Sequence, residues 1–498
     1  MTQGNDPKFQ KYANYSQYSL HDSFCADLLH DLFGRDYRFW VENGCWLRWI
    51  GHKWESDICN TIFGNARRRL PESIREIADA YIEPTDQSKG KQVTEQWYKF
   101  SRKAGNKASL NAAVEVFKTD GRVQVMTEKL DAKPMQLGCK NGFVMLDTGT
   151  FFPYGDPDFE DYERIQYITQ STCIDYDEHA DTSDWERTIL KICCGDEELA
   201  EWLQTAIGYS ITGMDTEQVF FLCHGKGSNG KSTFFDLLRK ALGDYSMFGE
   251  FKTIEEERSG GGEGPRPDLL ALFGKRTLFI DEPERPNTTL NEGLVKRMTG
   301  GTAIRARNLH EKNYVEFKMT AKIWVAFNRE PRIRGSDYGV WRRIRRVPFH
   351  AEFSKADEDF DPGIKDRLEK NIASVLKWAV EGAVKWHENG LGWCDAVRES
   401  TDQYQRDQDV LADFIQMAIL EDDKSYIYTQ DLYKTYAEYC QDYKVPPKAR
   451  IGEKTFNDLL KEKGFGVPKL KGKKRRQAWV GYKCVYLGAD MRSLETMQ

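Results

Sequence analysis

Nowhere in this 498-residue sequence does an apolar run approach the roughly 20 residues needed to cross a bilayer, so membrane insertion is not expected. The first eleven residues, Met1 to Lys11, are polar and lack the apolar stretch of a secretory signal, which places the chain in the cytosol, a cytoplasmic expectation. Eleven cysteines occur without a CxxC pair, and the eight histidines show no ligand spacing. Neither a disulfide framework nor a zinc site is indicated. Adjacent Cys193 and Cys194, in an apolar helix-like stretch, read instead as free thiols of a reducing compartment. An excess of positive charge is also missing. The formal net charge of −6 excludes a protein that coats nucleic acid through its overall field, so any such contact must be local. No internal repeat is present.

What remains is an ordinary globular composition, 40% hydrophobic and 30% charged, in a chain long enough for several domains. Phe39, Trp40, Trp46, Trp49 and Trp54 alternate with polar residues around Asn43-Gly44, a pattern that predicts a β-hairpin. Asn141-Gly142 marks a second turn ahead of Phe143 to Leu146. Residues 61–125 between them read as helical, with a charged break near 85–95. Aromatics of this kind can stack on bases, but at strand spacing they read as core. Residues 1–178 are thus expected to form an N-terminal α+β domain. Residues 179–216, with Trp185, Leu190, Ile192, Leu199, Trp202, Leu203 and Ile207, are expected to form a helical collar that joins subunits.

The chemistry begins at Gly225-Lys226-Gly227-Ser228-Asn229-Gly230-Lys231-Ser232, a GxxxxGKS pattern between an apolar strand and a helix-like segment from Thr233. Glycines let backbone N–H groups turn inward around a polyphosphate, Lys231 can neutralise its charge, and the Ser232 hydroxyl can hold magnesium. The expected nucleotide ligands are Gly225, Gly227, Ser228, Asn229, Gly230, Lys231, Ser232 and Thr233. Fifty residues beyond Lys231, the apolar strand Thr277 to Ile280 ends in Asp281-Glu282. Asp281 would complete the magnesium shell with Ser232, and Glu282 would orient and deprotonate the attacking water. A third strand, Ile323 to Phe327, ends in Asn328, whose amide can hold that water or the γ-phosphate. Arg342-Arg343, fifteen residues on, precede a short strand, and an arginine there could serve the γ-phosphate of a neighbouring subunit.

Between the second and third strands, alternation on both sides of 308–313 predicts a hairpin over Ala303 to Phe317. Arg305, Arg307, His310 and Lys312 would grip a phosphate backbone there. In the tail, Gln430 to Tyr439 and Glu453 to Leu460 read as helices. Lys469 to Tyr482 reads as a basic turn entering a strand, like the wing of a winged helix. Lys454 on the second helix and Lys473, Lys474, Arg475 and Arg476 on the wing are the DNA-contact candidates.

Gly225 to Ser232, Asp281-Glu282, Lys296 to Gly301, Asn328 and Arg343, in this order and spacing, resemble a superfamily 3 helicase. Within that group the chain is similar to the helicase portion of phage and plasmid primase-helicases, which are related to the poxvirus primase-helicase. The resemblance implies an α/β AAA+-like ATPase core over residues 217–350, a helical lid and linker over 351–408, and a C-terminal winged-helix domain over 409–498. It further implies a hexameric ring that uses ATP and Mg2+ to move along one DNA strand, 3′ to 5′. Arg343 would be the trans-acting finger, Lys296 or Arg297 an interfacial sensor, and His310 and Lys312 the hairpin tip. Thr302 and Met319 depart from the usual aspartate and proline, so the hairpin's geometry is left open.

With the helicase-associated region starting close to Met1, no room is left for a primase domain, so no primer synthesis is expected of this chain. The expected function is a replicative DNA helicase of a phage, plasmid or other mobile element, recognising its origin. Its partners would be single-stranded and forked DNA, origin duplex, further copies of itself and a separate primase or polymerase. The alternatives are an ATP-gated origin-binding initiator without unwinding activity, or another nucleic-acid translocating ring ATPase.

Overall fold

The structure is a computed structural model that describes residue 12 and residues 20–80, 87–155, 162–256, 264–281, 288–307, 309, 314–328, 330–333, 338–354, 356, 361–409, 411–445, 450–473 and 475–486. The chain divides into two compact units, residues 1–179 with 241–245, and residues 180–240 with 246–498.

In the first unit the aromatic hairpin forms as predicted. Tyr37–Trp40 pairs antiparallel with Cys45–Trp49, joining Trp40 to Cys45 across a turn in which Gly44 takes the left-handed φ of 65°. Trp54–Ser56 extends the sheet on one side. Helices Asp22–Phe33, Thr61–Ala80, Gln87–Ala104 and Lys107–Phe117 supply the main core, around Phe24, Leu70, Ile74 and Phe117. The aromatics act as core: Trp49 and Trp54 are buried, and the Trp46 ring stacks on Phe117 at 5.1 Å. The predicted helix to residue 125 is corrected. Helix ends at Phe117, and Gln124-Val125 instead pairs in parallel with Phe39-Trp40, because Val125 buries its side chain in the hairpin's second core. Beyond it, Asn141 clamps an extended segment, its amide donating to Tyr176 O at 2.9 Å and its carbonyl accepting from Tyr176 N at 2.8 Å.

The second unit is built on a five-stranded parallel sheet. Across the sheet run Ile344–Pro348, Phe220–His224, Lys322–Phe327, Thr277–Ile280 and Ser246–Gly249. In chain order this is 5-1-4-3-2. The three central strands are apolar runs covered on both faces, as parallel strands require. Their carboxyl ends share one edge, where ligands of open α/β sheets bind. The collar is two helices, Ser183–Ile192 and Glu197–Ile211, the second capped by the Asp196 carboxylate accepting from Leu199 N at 3.0 Å. It crosses the lid helix Ile372–Asn389 at Gly208 and Gly382. A Cβ on Gly208 would lie 1.9 Å from the Gly382 carbonyl carbon, so only glycine admits the crossing.

Ala303–Ala306 and Val315–Lys318 form the predicted antiparallel hairpin. In the tail, helix Ala412–Ala418 is followed by strand Ile419–Tyr428, helices Thr429–Asp442 and Glu453–Leu460, and strands Lys469–Lys471 and Arg476–Cys484. Arg476–Cys484 is central in the three-stranded sheet. Both predicted tail helices are present. The strand from Ile419 was not anticipated, since its acidic stretch Glu421 to Asp423, at a register shift, hides the alternation. Among the described residues no helix is long and apolar enough to cross a membrane.

Candidate nucleotide site

The glycine-rich turn joins the carboxyl end of Phe220–His224 to helix Lys231–Leu242. Ser228 and Gly230 both take left-handed φ values, 60° and 85°, which curl the loop. Gly225 has no room for a side chain, since a Cβ would stand 2.0 Å from Phe349 O. Asn229 proves to be an internal brace. It is buried, its amide donating to Phe349 O at 3.3 Å and to Lys226 O, and its carbonyl accepting from Lys231 N at 3.4 Å. Its side chain therefore shapes the loop and does not face a ligand. Gly227 is open, and Ser232 lies exposed at the helix start. This cradle, with inward-turning backbone and no side chain at its tightest points, fits a polyphosphate.

Lys231 is 6% exposed, and its ammonium donates to Gly225 O at 2.6 Å and to Asn328 Oδ1 at 3.2 Å. The loop lysine and the amide at the end of the neighbouring strand thus meet, although 97 residues separate them. One strand further across the sheet, Asp281 reaches the same edge. Burial, with the Asp236 carboxylate adding, holds its carboxyl above the usual range. Ser232 at the helix start and Asp281 at the strand end are the oxygen donors that would hold magnesium, a cation that would favour the charged form burial disfavours. Glu282 lies outside the described residues, as do His310, Lys312 and Lys474.

A cleft of about 850 Å³ opens beside the loop, lined by Ser228, Gly230 and Thr233, by Ile192 of the collar, and by Phe353 and Ile364. Asp184, Arg187, Lys191, Glu352, Asp361 and Arg367 share its walls with these apolar side chains, beside the phosphate cradle where a nucleotide's base and sugar would lie. Thr233 therefore belongs to the cleft. His224, immediately before the loop, was missed in the sequence, where a lone histidine carries no signal. Burial, then the charges of Arg346, Lys231 and His350, push its pKa down to about 4, so at neutral pH it is an uncharged acceptor for Arg346, 3.1 Å away.

The arginine pair divides. Arg343 is 9% exposed, with Nε donating to Thr299 Oγ1 at 3.1 Å and Nη2 to Gln218 Oε1 at 3.3 Å. Its guanidinium is engaged within its own chain, held by the buried Thr299 hydroxyl and the half-buried Gln218 side chain. Arg342 is exposed and donates to the same Gln218 oxygen at 2.8 Å.

On the hairpin, the guanidiniums of Arg305 and Arg307 both lie 5.3 Å from the Tyr314 ring, and Arg305 also pairs with Glu316 at 3.7 Å. In the tail, Lys454, Lys473 and Arg475 are exposed. Arg476 instead turns back onto the Tyr428 ring at 4.1 Å and donates to Asp431 at 2.8 Å, so it braces the wing. Among the described residues, no cluster of three or more histidine, cysteine or carboxylate side chains is placed to hold a metal.

Comparison with known proteins adds two matches to family models. Residues 26–194 match the family described as D5 N terminal like, and residues 223–346 match a family of unknown function. A provisionally named helicase of Acanthamoeba polyphaga mimivirus is 27% identical over 80% of this chain and 43% of its own length. One of frog virus 3 is 24% identical over 55% of this chain and 29% of its own. The chain spans less than half the length of the curated relatives it matches. Among solved structures, the apo NrS-1 C-terminal region aligns with a TM-score of 0.46 at 11% identity, over 91% of this chain and 88% of that one. The likeness over residues 26–194 and the likeness to viral relatives that runs along most of the chain converge on one similarity, to the D5-like primase-helicases.

Proposed function

We propose that this chain is an ATP-driven DNA helicase that works as a ring, with each nucleotide site completed by a neighbouring copy. The observation that carries the reading is the contact between Lys231 and Asn328, with Asp281 on the adjoining strand end. A loop that merely bound nucleotide would not need a polar amide from a separate strand aimed at its lysine. ATP would supply the anhydride, and Ser232 and Asp281 would hold the Mg2+ that offsets its charge. Lys231 draws in the β- and γ-phosphates, and Asn328 orients the water that Glu282 deprotonates.

The 5-1-4-3-2 strand order supports an AAA+-type core. The exposed Arg342, beside the engaged Arg343, is the better-placed candidate for a finger serving a neighbour. Arg305 and Arg307, with His310 and Lys312 beyond them, suit a hairpin that grips one DNA strand, 3′ to 5′ by resemblance. The tail's α-β-α-α-β-β order, with its last strand central, supports a winged helix in which Lys454, Lys473 and Arg475 meet origin duplex. Hexameric assembly, a separate primase or polymerase, and a mobile element as source complete the reading. Strand displacement on forked substrates with opposite single-stranded tails tests it. Displacement on one polarity only, abolished by Lys231→Ala, is the expected result. ATP-dependent duplex binding without displacement would replace it with an origin-binding initiator.

A further inference from the structure

The segment joining the collar to the loop strand, residues 211–218, is short, yet it touches each part that the proposed cycle would have to move. Where the collar helix ends, Ile211 O accepts from Arg276 Nη1 at 2.7 Å and Thr212 O from Lys322 Nζ at 2.6 Å. Both side chains are buried, and they stand at the starts of the strands that lead to Asp281 and Asn328. Glu217 Oε1 accepts from Trp386 Nε1 at 2.8 Å and Leu391 N at 3.2 Å, fixing the end of the lid helix. Gln218, in the left-handed region at φ 54°, accepts from Arg342 and Arg343. A non-glycine residue is held there only when its surroundings over-determine it. Asp215, between them, pairs with Lys318 at the root of the hairpin, 3.0 and 3.1 Å from its two oxygens.

The turn Gly300-Gly301, where helix Glu292–Thr299 gives way to the hairpin, is gripped from both sides. A Cβ on Gly300 would lie 3.7 Å from Arg343 Nη2. One on Gly301, which has φ 70°, would lie 2.4 Å from Asp215 Oδ2. The hairpin root therefore rests between the arginine that Gln218 holds and the carboxylate three residues earlier in the same segment.

Resting on the helicase reading above, we propose that residues 211–218 are the element that couples the hairpin to the arginine pair, with Asp215 as its positioning residue. Asp215 touches neither the cradle nor the arginines. It holds the hairpin root against a segment whose far end holds Arg342 and Arg343 and continues into the loop strand. A displacement of the hairpin pulls on the Gln218 acceptor, and release of Arg342 toward a neighbouring copy loosens that acceptor's hold on the root.

Amide hydrogen exchange and stoichiometry, measured on the full chain, test this separately. Asp215→Ala is expected to speed exchange in 303–306 and 315–318 by about fivefold, the effect of losing a half-exposed ion pair, while Phe220–His224 keeps its wild-type rates. The reversed pair, Asp215→Lys with Lys318→Asp, is expected to restore the hairpin rates. In the activity arm, Asp215→Ala keeps basal ATP turnover but consumes several times more ATP per base pair displaced, and the reversed pair recovers the ratio. Unchanged hairpin exchange, exchange raised throughout the unit, or no recovery in the reversed pair would overturn the proposal. If the wild-type chain displaces no strand, the helicase reading falls, and the exchange arm still decides whether Asp215 holds the hairpin.

Discussion

Asn328 offers the sharpest perturbation, because two substitutions there should fail in different ways. In the wild type its amide carbonyl accepts from a Lys231 ammonium 3.2 Å away that is almost wholly out of water. Asn328→Asp places a full negative charge on the same atom. Unit charges at that separation attract by about 5 kcal/mol at an effective dielectric of about 20. Desolvation of the new carboxylate returns part of this, leaving a tie of ~2 kcal/mol that ATP must break to reach the lysine. Nucleotide affinity should fall about thirtyfold. Asn328→Ala removes the acceptor without adding a charge. Lys231 keeps Gly225 O, so affinity should change less than about threefold, while turnover should fall by about 10²-fold for loss of a positioned polar group. Fluorescent-nucleotide titration and a phosphate-release assay read the two quantities. Equal affinities for both variants would refute the charge tie to Lys231, and wild-type turnover by Asn328→Ala would show that the Lys231–Asn328 contact has no part in catalysis.

Other consequences are as direct. Arg343→Ala should destabilise the chain by ~1 kcal/mol in urea unfolding, since it removes a buried guanidinium and leaves the buried Thr299 hydroxyl without that donor while Arg342 still holds Gln218, whereas Arg342→Ala should leave stability within ~0.5 kcal/mol and lower ATP turnover. The His224 pKa is depressed to about 4, so the unfolded chain binds a proton that the folded one refuses between about pH 6.5 and 4. The stability that His224 contributes is therefore fully present above about pH 6.5 and is lost as pH falls through that window, and His224→Asn should flatten the decline seen by denaturant titration. Cys194 is exposed on the wall of the base cleft, so ATP should slow its alkylation by N-ethylmaleimide several-fold while leaving the exposed Cys59 and Cys173 unaffected, as peptide mapping would show. Labelling of Cys194 that ignores nucleotide would remove the base from that cleft.

Local patterns gave away the loop, the carboxylate strand and the hairpin. Gly225 to Ser232 carries its geometry in adjacent residues, and Thr277 to Ile280 shows its burial as an unbroken apolar run. What escaped was set by contacts between distant segments. Asn229 looks like a ligand in the motif and becomes a brace because Phe349, 120 residues away, passes beside it. Arg343 has a finger's spacing, yet Thr299 and Gln218 capture it. Arg276 reaches Ile211 across 65 residues, so nothing in the plain linker 211–218 announced its contacts. Gln124-Val125 was read as helix because a two-residue strand is too short to show a period.

The central claim is that hydrolysis at this cradle drives separation of DNA strands. It is tested most directly by time-resolved displacement of a labelled strand from forked DNA, with ATP consumption recorded in the same samples. The account predicts that the wild-type chain couples the two, and that Glu282→Gln binds ATP but neither hydrolyses nor displaces. Displacement that persists in Glu282→Gln, or ATP turnover in the wild type that is indifferent to DNA and separates no strands, would contradict it.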